Sequence, residues 1–307
     1  MSPLALRYAG DTVGLAAVPN QIRDDAFAWT EVSVRAIHAV AEYLAALDDR
    51  GIPHAVAKGP GIAKQYPVFS DRPFSDIDIL VARRHFTAAM DVAERCGYAE
   101  DQASRHPWRF IDRWCREAVN LKRGAGGSID VHHHVPPWLW GGKLRTESLV
   151  DAARPDSVLG VSLPLLPAEA NLLISALHVV SDRGQPGATL MIWRDIAQLA
   201  SVARPLQVVE IAGRAGLTGW LQAILSALPE HVRPDRLITA LGDDRHVRHP
   251  ARALAMLSPR ASKMGVRAMQ PLRLPAPGAA AYLAGMGLWR IGLSPAGAAD
   301  RRSPSSP

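Results

Sequence analysis

Cysteine is almost missing from this chain: Cys96 and Cys115 are the only two in 307 residues. That excludes a disulfide framework and a cysteine-built zinc site, and a reducing cytoplasm is the expected setting. Long apolar runs are missing too. The best, Ala279 to Leu293, is short and interrupted by Arg290, so it reads as a docking or surface helix rather than a span across roughly 30 Å of hydrocarbon. The start, from Met1 to Asp11, lacks the sustained apolar stretch of a secretory leader. An acidic surplus is absent as well. The net charge of +6 favours polyanionic company such as triphosphates, nucleic acid or acidic lipid. Aromatics run out late in the sequence: past Trp220 only Tyr282 and Trp289 remain. The arginine-rich stretch from Arg233 to Arg290 therefore lacks the interleaved rings on which a nucleic-acid binder stacks bases.

What the chain does have is a hydrophobic content of 48%, ordinary for a folded core, and one short run around which its chemistry gathers. Ser75-Asp76-Ile77-Asp78-Ile79-Leu80-Val81 is a strand by composition. Alternation puts Asp76 and Asp78 on one face and Ile77, Ile79 and Val81 on the other. Two carboxylates side by side repel, and a divalent cation such as Mg²⁺ is their natural partner; a solvated edge strand with an acidic face is the other way to read them. Upstream, a strand over 54–57 runs into Lys58-Gly59-Pro60-Gly61 and a helix over 62–66, a turn whose free N–H groups suit a phosphate. Downstream, 117–122 and 128–135 flank a glycine-rich turn as a β-hairpin. Its second strand turns Asp130 away from Ile129 and Val131, which offers a third acid.

Lys58-Gly59, Tyr66-Pro67, Arg72, Asp76-Ile77-Asp78-Ile79-Leu80-Val81, Gly97-Tyr98 and Asp130-Val131-His132 occur in that order. This pattern, spanning roughly residues 50 to 200, resembles the uncharacterised nucleotidyltransferase-like group of the DNA polymerase β-type nucleotidyltransferase superfamily. The resemblance implies an α+β fold: a small mixed β-sheet flanked by helices, followed by a mostly helical C-terminal half. It implies that Asp76, Asp78 and Asp130 are catalytic and hold two Mg²⁺ (or Mn²⁺) ions. It further implies transfer of a nucleoside monophosphate from an NTP, ATP first among them, to a hydroxyl or phosphate on a small molecule, peptide, tRNA or protein. Lys58, Gly59, Gly61 and Arg72 are the nucleotide-binding candidates. The wider superfamily carries Gly-Ser after the first strand, and Lys58-Gly59-Pro60-Gly61 stands in its place here. Two alternatives follow: a nucleotide-binding regulatory module of the same fold with weak or no turnover, and a basic nucleic-acid-binding protein.

Taken in order, residues 1–22 read as an N-terminal arm and 23–150 as the catalytic core. Within it lie a long helix from Asp24 to Asp49 stopped by Gly51, a helix from Arg83 to Cys96 ended by Gly97, and a basic, aromatic stretch over 100–116. His132-His133-His134 invites a zinc site. Alternation splits the three, however, leaving His132 and His134 on the face of Asp130 as substrate-side groups. Residues 136–142 read as a loop or lid. Residues 151–275 form the helical domain, with helical periodicity from Leu166 onward and His178, Arg194 and Asp195 as further substrate-side candidates. Residues 276–307 comprise the short apolar helix and a disordered basic tail.

Overall fold

The computed structural model describes residues 19–100, 118–124, 127–135, 144–181 and 186–242. Of the expected arm over 1–22, residues 1–18 lie outside the described residues and residues 20–22 belong to the first helix; residues 101–116 of the basic and aromatic stretch, the loop over 136–142 and everything after 242 also lie outside them.

The architecture is α+β, built on one mixed seven-stranded sheet in the order β3-β4-β5-β2-β1-β7-β6. Helix α1 (Asn20–Asp48) comes first. Ile37, Val40, Tyr43, Leu44 and Leu47 recur at helical spacing and are buried. Gly51, at φ +60°, stops the helix as its sequence predicts. Phe27, expected on the apolar side, is 67% exposed near the start of this helix. β1 (His54–Ala57) pairs antiparallel with β2 (Asp76–Val81). A single helical turn, α2 (Gly59–Ala63), lies between them, three residues earlier than the expected helix over 62–66. α3 (Phe86–Arg95) follows, then β3 (Ala99–Glu100), and the hairpin β4 (Ala118–Arg123) and β5 (Gly127–His132) falls where its turn glycines predict. β5 runs parallel to β2.

α4 (Thr146–Ala152) leads into β6 (Arg154–Val158) and β7 (Val161–Leu165). β7 pairs with β1, so the sheet continues past residue 150, where the sequence predicts the helical part to begin. Pro155, Asp156, Ser157, Ser162 and Pro164 break the apolar alternation of these two strands, which is why composition does not announce them. The change from strand to helix falls instead at Leu166, as the periodicity indicates. From there α5 (Ala168–Ser181), α6 (Pro186–Val202), α7 (Pro205–Ala215), α8 (Thr218–Ser226) and α9 (Asp235–Leu241) form the second half.

The two sheet faces bury different partners. Ile77, Ile79, Val81, Ile129 and Val131 share a core with α1 and α3, whereas Ala55, Ala57 and Leu80 share one with Leu172, Leu173 and Leu177 of α5. Strand alternation thus sets Asp76 and Asp78 on the face of Leu80, toward the helical half. Gly127 opens β5 because α1 passes over it: a Cβ there would stand 2.8 Å from the Ala39 Cβ. Gly127→Ala is expected to destabilise the fold by about 1–3 kcal/mol through overpacking, read from the urea midpoint. An unchanged midpoint would mean that α1 shifts freely.

Candidate active site

Parallel pairing sets Asp78 directly opposite Asp130, and Asp76 opposite Ser128. The three acids expected from the sequence therefore do share one face of neighbouring strands. Asp78 is buried and Asp76 and Asp130 are half-buried. Burial and the charges of Asp78 and Asp130 push the Asp76 carboxyl up to about 6, against the pull of Lys58 and Arg72. Burial acts on Asp78 in the same direction. There the Lys58 ammonium and the His132 ring overcome it and hold the carboxyl well below the usual carboxylate range.

Lys58 is the pivot of this arrangement. Its Nζ lies 2.8 Å from Asp78 Oδ1 and 3.2 Å from His178 Nε2 of α5. Its backbone takes φ +50° and ψ −125°, a region that L residues avoid. Its N–H donates to Asn171 Oδ1 at 2.8 Å, and Asn171 Nδ2 donates to Leu166 O at 3.2 Å. Gly59 and Gly61 are both buried. A Cβ on Gly61 would stand 3.1 Å from Asn171 Nδ2, so this glycine makes room for α5.

Arg72 has a fixed partner across the two halves. Its Nη2 lies 2.8 Å from Asp195 Oδ2 of α6, its Nε donates to the same oxygen at 3.1 Å, and Tyr66 Oη donates to Asp195 Oδ1 at 2.6 Å. Arg194 and Asp195 do not pair with each other. Arg194 stacks over the Tyr66 ring at 4.5 Å and donates from Nη1 to Asp71 O at 3.0 Å. Both residues strap α6 to the segment that leads into β2.

The three histidines separate. His132 is 4% exposed, and its Nε2 lies 2.9 Å from Asp78 Oδ1. His133 is buried edge-on against Phe86, with ring centroids 4.6 Å apart. β5 ends at His132, so alternation no longer carries His134 toward the acids. Burial and the Arg83 charge push His134 down to about 4, with Glu147 opposing.

Among the described residues, the set whose ligating atoms gather within 4.8 Å of one another is Asp78, Asp130 and His132. Asp76 stands outside that spacing, two register pairs further back along the strand. Asn120 of β4 donates to Asp130 Oδ1 at 2.5 Å and to Ser128 Oγ at 3.1 Å, fixing the acid's orientation. Neither Asn120 nor Asn171 is a sequence-derived site residue. The available signal for Asn171 is an uncharged polar residue inside the apolar run Ala168 to Leu177.

A profile of the family described as "Uncharacterised nucleotidyltransferase" matches residues 5–229. No curated protein matches the chain. Among solved structures, the antibiotic-resistance factor ANT(2'')-Ia aligns at a TM-score of 0.40 with 14% identity, over 58% of this chain and 89% of that one. The lincosamide antibiotic adenylyltransferase LnuA, solved with lincomycin bound, aligns at 0.34 with 19% identity, over 52% and 93%. An antigenic nucleotidyltransferase-like protein from Paracoccidioides brasiliensis aligns at 0.39 with 17% identity, over 69% and 92%.

Proposed function

Because the chain belongs to the uncharacterised nucleotidyltransferase family, we propose that it is a metal-dependent enzyme that moves a nucleoside monophosphate from an NTP, ATP first, to an acceptor hydroxyl or phosphate. The observation that carries this is the convergence of Asp76, Asp78 and Asp130 on the sheet face turned toward the helical half. The donor set fits hard divalent ions: burial, together with the neighbouring charges of Asp78 and Asp130, holds the Asp76 carboxyl up at about 6, and positive charge relieves all three carboxylates. When bound there, Mg²⁺ or Mn²⁺ supplies charge against that building on the phosphorus oxygens and lowers the pKa of the acceptor hydroxyl.

The chain's own groups do the rest. Asp130, held by Asn120, takes the proton of the acceptor hydroxyl. The acceptor oxygen bonds to the α-phosphorus, the bond from that phosphorus to the bridging oxygen breaks, and pyrophosphate leaves with the electron pair. Lys58 meets the triphosphate as a point charge where the Gly59 turn enters α2, and Arg72, anchored by Asp195, contributes a fixed positive charge beside it. His178 and Arg194 line the acceptor side. Among the described residues, no helix is long and apolar enough to cross a membrane; we assign the reaction to the cytoplasm, where NTPs are abundant.

The test is calorimetric titration of Mn²⁺ with a non-hydrolysable ATP analogue, alongside mass spectrometry of candidate acceptors incubated with Mg²⁺ and each NTP. Wild type should bind and the Asp76→Ala/Asp78→Ala double variant should not; equal binding by the two sinks the proposal. Lys58→Ala is expected to raise KM for the NTP by an amount worth about 1.5–3 kcal/mol, the scale of a charge-assisted hydrogen bond. It also leaves Asp78 without its 2.8 Å ammonium partner, so metal alone should bind this variant more tightly than wild type. A KM within twofold of wild type would remove Lys58 from the triphosphate site.

A further inference from the structure

The three acids explain why a divalent ion enters this site, but not which ion. The tightest gathering of ligating atoms exchanges Asp76 for an imidazole: Asp78, Asp130 and His132. We propose that His132 is an inner ligand of the metal centre, and that this mixed nitrogen and oxygen set makes the site select Mn²⁺ over Mg²⁺. The inference rests on the nucleotidyltransferase proposal for the presence of a metal, and goes beyond it in assigning a ligand and an ion.

Position, spacing and chemistry support it together. His132 follows Asp130 by two residues on β5, so alternation puts both side chains on one face, and β2 sets Asp78 directly opposite Asp130 and within reach of the His132 ring. The ring is buried, which fixes it where a surface histidine would wander. Its Nε2 stands 2.9 Å from Asp78 Oδ1, and two atoms on adjacent corners of an octahedron with bonds of about 2.1 Å are about 3.0 Å apart. The pair is thus spaced as one edge of a coordination shell. Asp78 Oδ1 already faces positive charge, since the Lys58 ammonium sits on it at 2.8 Å. Mg²⁺ keeps oxygen and water around it and gains little from an imidazole, whereas first-row transition ions bind that nitrogen well. Two carboxylates with one imidazole suit Mn²⁺, which accepts both donor types.

His132→Gln is the discriminating variant, because its amide can still donate to Asp78 while the imidazole lone pair is gone. Metal-stripped protein is titrated with Mn²⁺ and with Mg²⁺, each alone and then with a non-hydrolysable ATP analogue. His132→Gln should weaken Mn²⁺ by about 10–100-fold, the range seen when metal sites lose a supporting group, and change Mg²⁺ far less. Pulsed electron paramagnetic resonance of the wild-type Mn²⁺ complex should show a directly bonded nitrogen, a readout that does not depend on any variant folding. A Mn²⁺-to-Mg²⁺ ratio unchanged by His132→Gln, or a wild-type complex without that nitrogen coupling, overturns the inference and leaves the nucleotidyltransferase proposal standing. Failure of wild type to bind either ion under any of these conditions overturns both.

Discussion

Asp130→Asn will cut nucleotidyl transfer by about 10³-fold while leaving the protein folded, the scale expected when a site loses a charge aimed at the transition state. The carboxylate is half-buried, and its fixed partner is the neutral amide of Asn120 at 2.5 Å. An asparagine there strands no buried charge, so the melting temperature should move by only a few degrees. The matching change at Asp78 is expected to be harsher. That carboxylate is shared by Lys58 Nζ at 2.8 Å and His132 Nε2 at 2.9 Å, so Asp78→Asn removes the counter-charge of a lysine whose side chain is only 19% exposed. Activity and stability should fall together for Asp78, and activity alone for Asp130. Steady-state rates of pyrophosphate release, paired with thermal melts, read both. A rate for Asp130→Asn above a tenth of wild type would show that the acid is not part of the chemistry.

The largest expected loss of stability lies at Asp195, far from Asp130 in the chain. Its carboxylate is 2% exposed, takes two donors from Arg72 and accepts the Tyr66 hydroxyl at 2.6 Å. Asp195→Ala leaves a guanidinium buried without its counter-ion and a phenol without its acceptor. Breaking a buried pair from one side costs about 3–5 kcal/mol, a large part of a typical domain's total stability. Replacing both ends with apolar residues of similar size removes the stranded charge. Arg72→Met/Asp195→Leu should therefore be more stable than Asp195→Ala, although it deletes more of the native contact. Chemical denaturation of the three proteins measures this directly. A loss below 1 kcal/mol for Asp195→Ala would mean that Arg72 reaches water once freed and that the strap contributes little. If Arg72 also lends its charge to the triphosphate, the double variant should be well folded and poorly active.

Local patterning carries the acidic face and the helical half, and long-range contact carries what the sequence does not disclose. Asp76, Asp78 and Asp130 leave the apolar side of their strands by period-two alternation alone, and the shift to helical spacing near Leu166 is equally local. The Lys58 contacts with Asn171 and His178 bridge 113 and 120 residues, and that of Arg72 with Asp195 bridges 123. No spacing rule reaches that far. Lys58 and Arg72 stand out from the sequence as free cations for a phosphate; folded, each already faces an acid, Asp78 on β2 and Asp195 on α6. His134 differs for another reason, since β5 ends at His132 and strand alternation does not reach it. The strands over 154–165 escape notice because β6 lies at the sheet edge, where prolines and polar residues are tolerated, and its neighbour β7 carries Ser162 and Pro164 in a run of only five residues.

The backward-bent lysine has a consequence for the order in which the protein comes into being. As the chain is synthesised from its N-terminus, the pieces of the central sheet emerge before residues 171 and 178, yet the amide at Lys58 finds its acceptor, and the ammonium its second contact, only on α5. A backbone twist costing on the order of 1–3 kcal/mol persists only where surroundings enforce it. A nascent chain or a proteolytic fragment ending near residue 165 would thus carry all three aspartates and no formed turn at Lys58. The turn at Lys58 therefore takes its final form late, when the helical half docks.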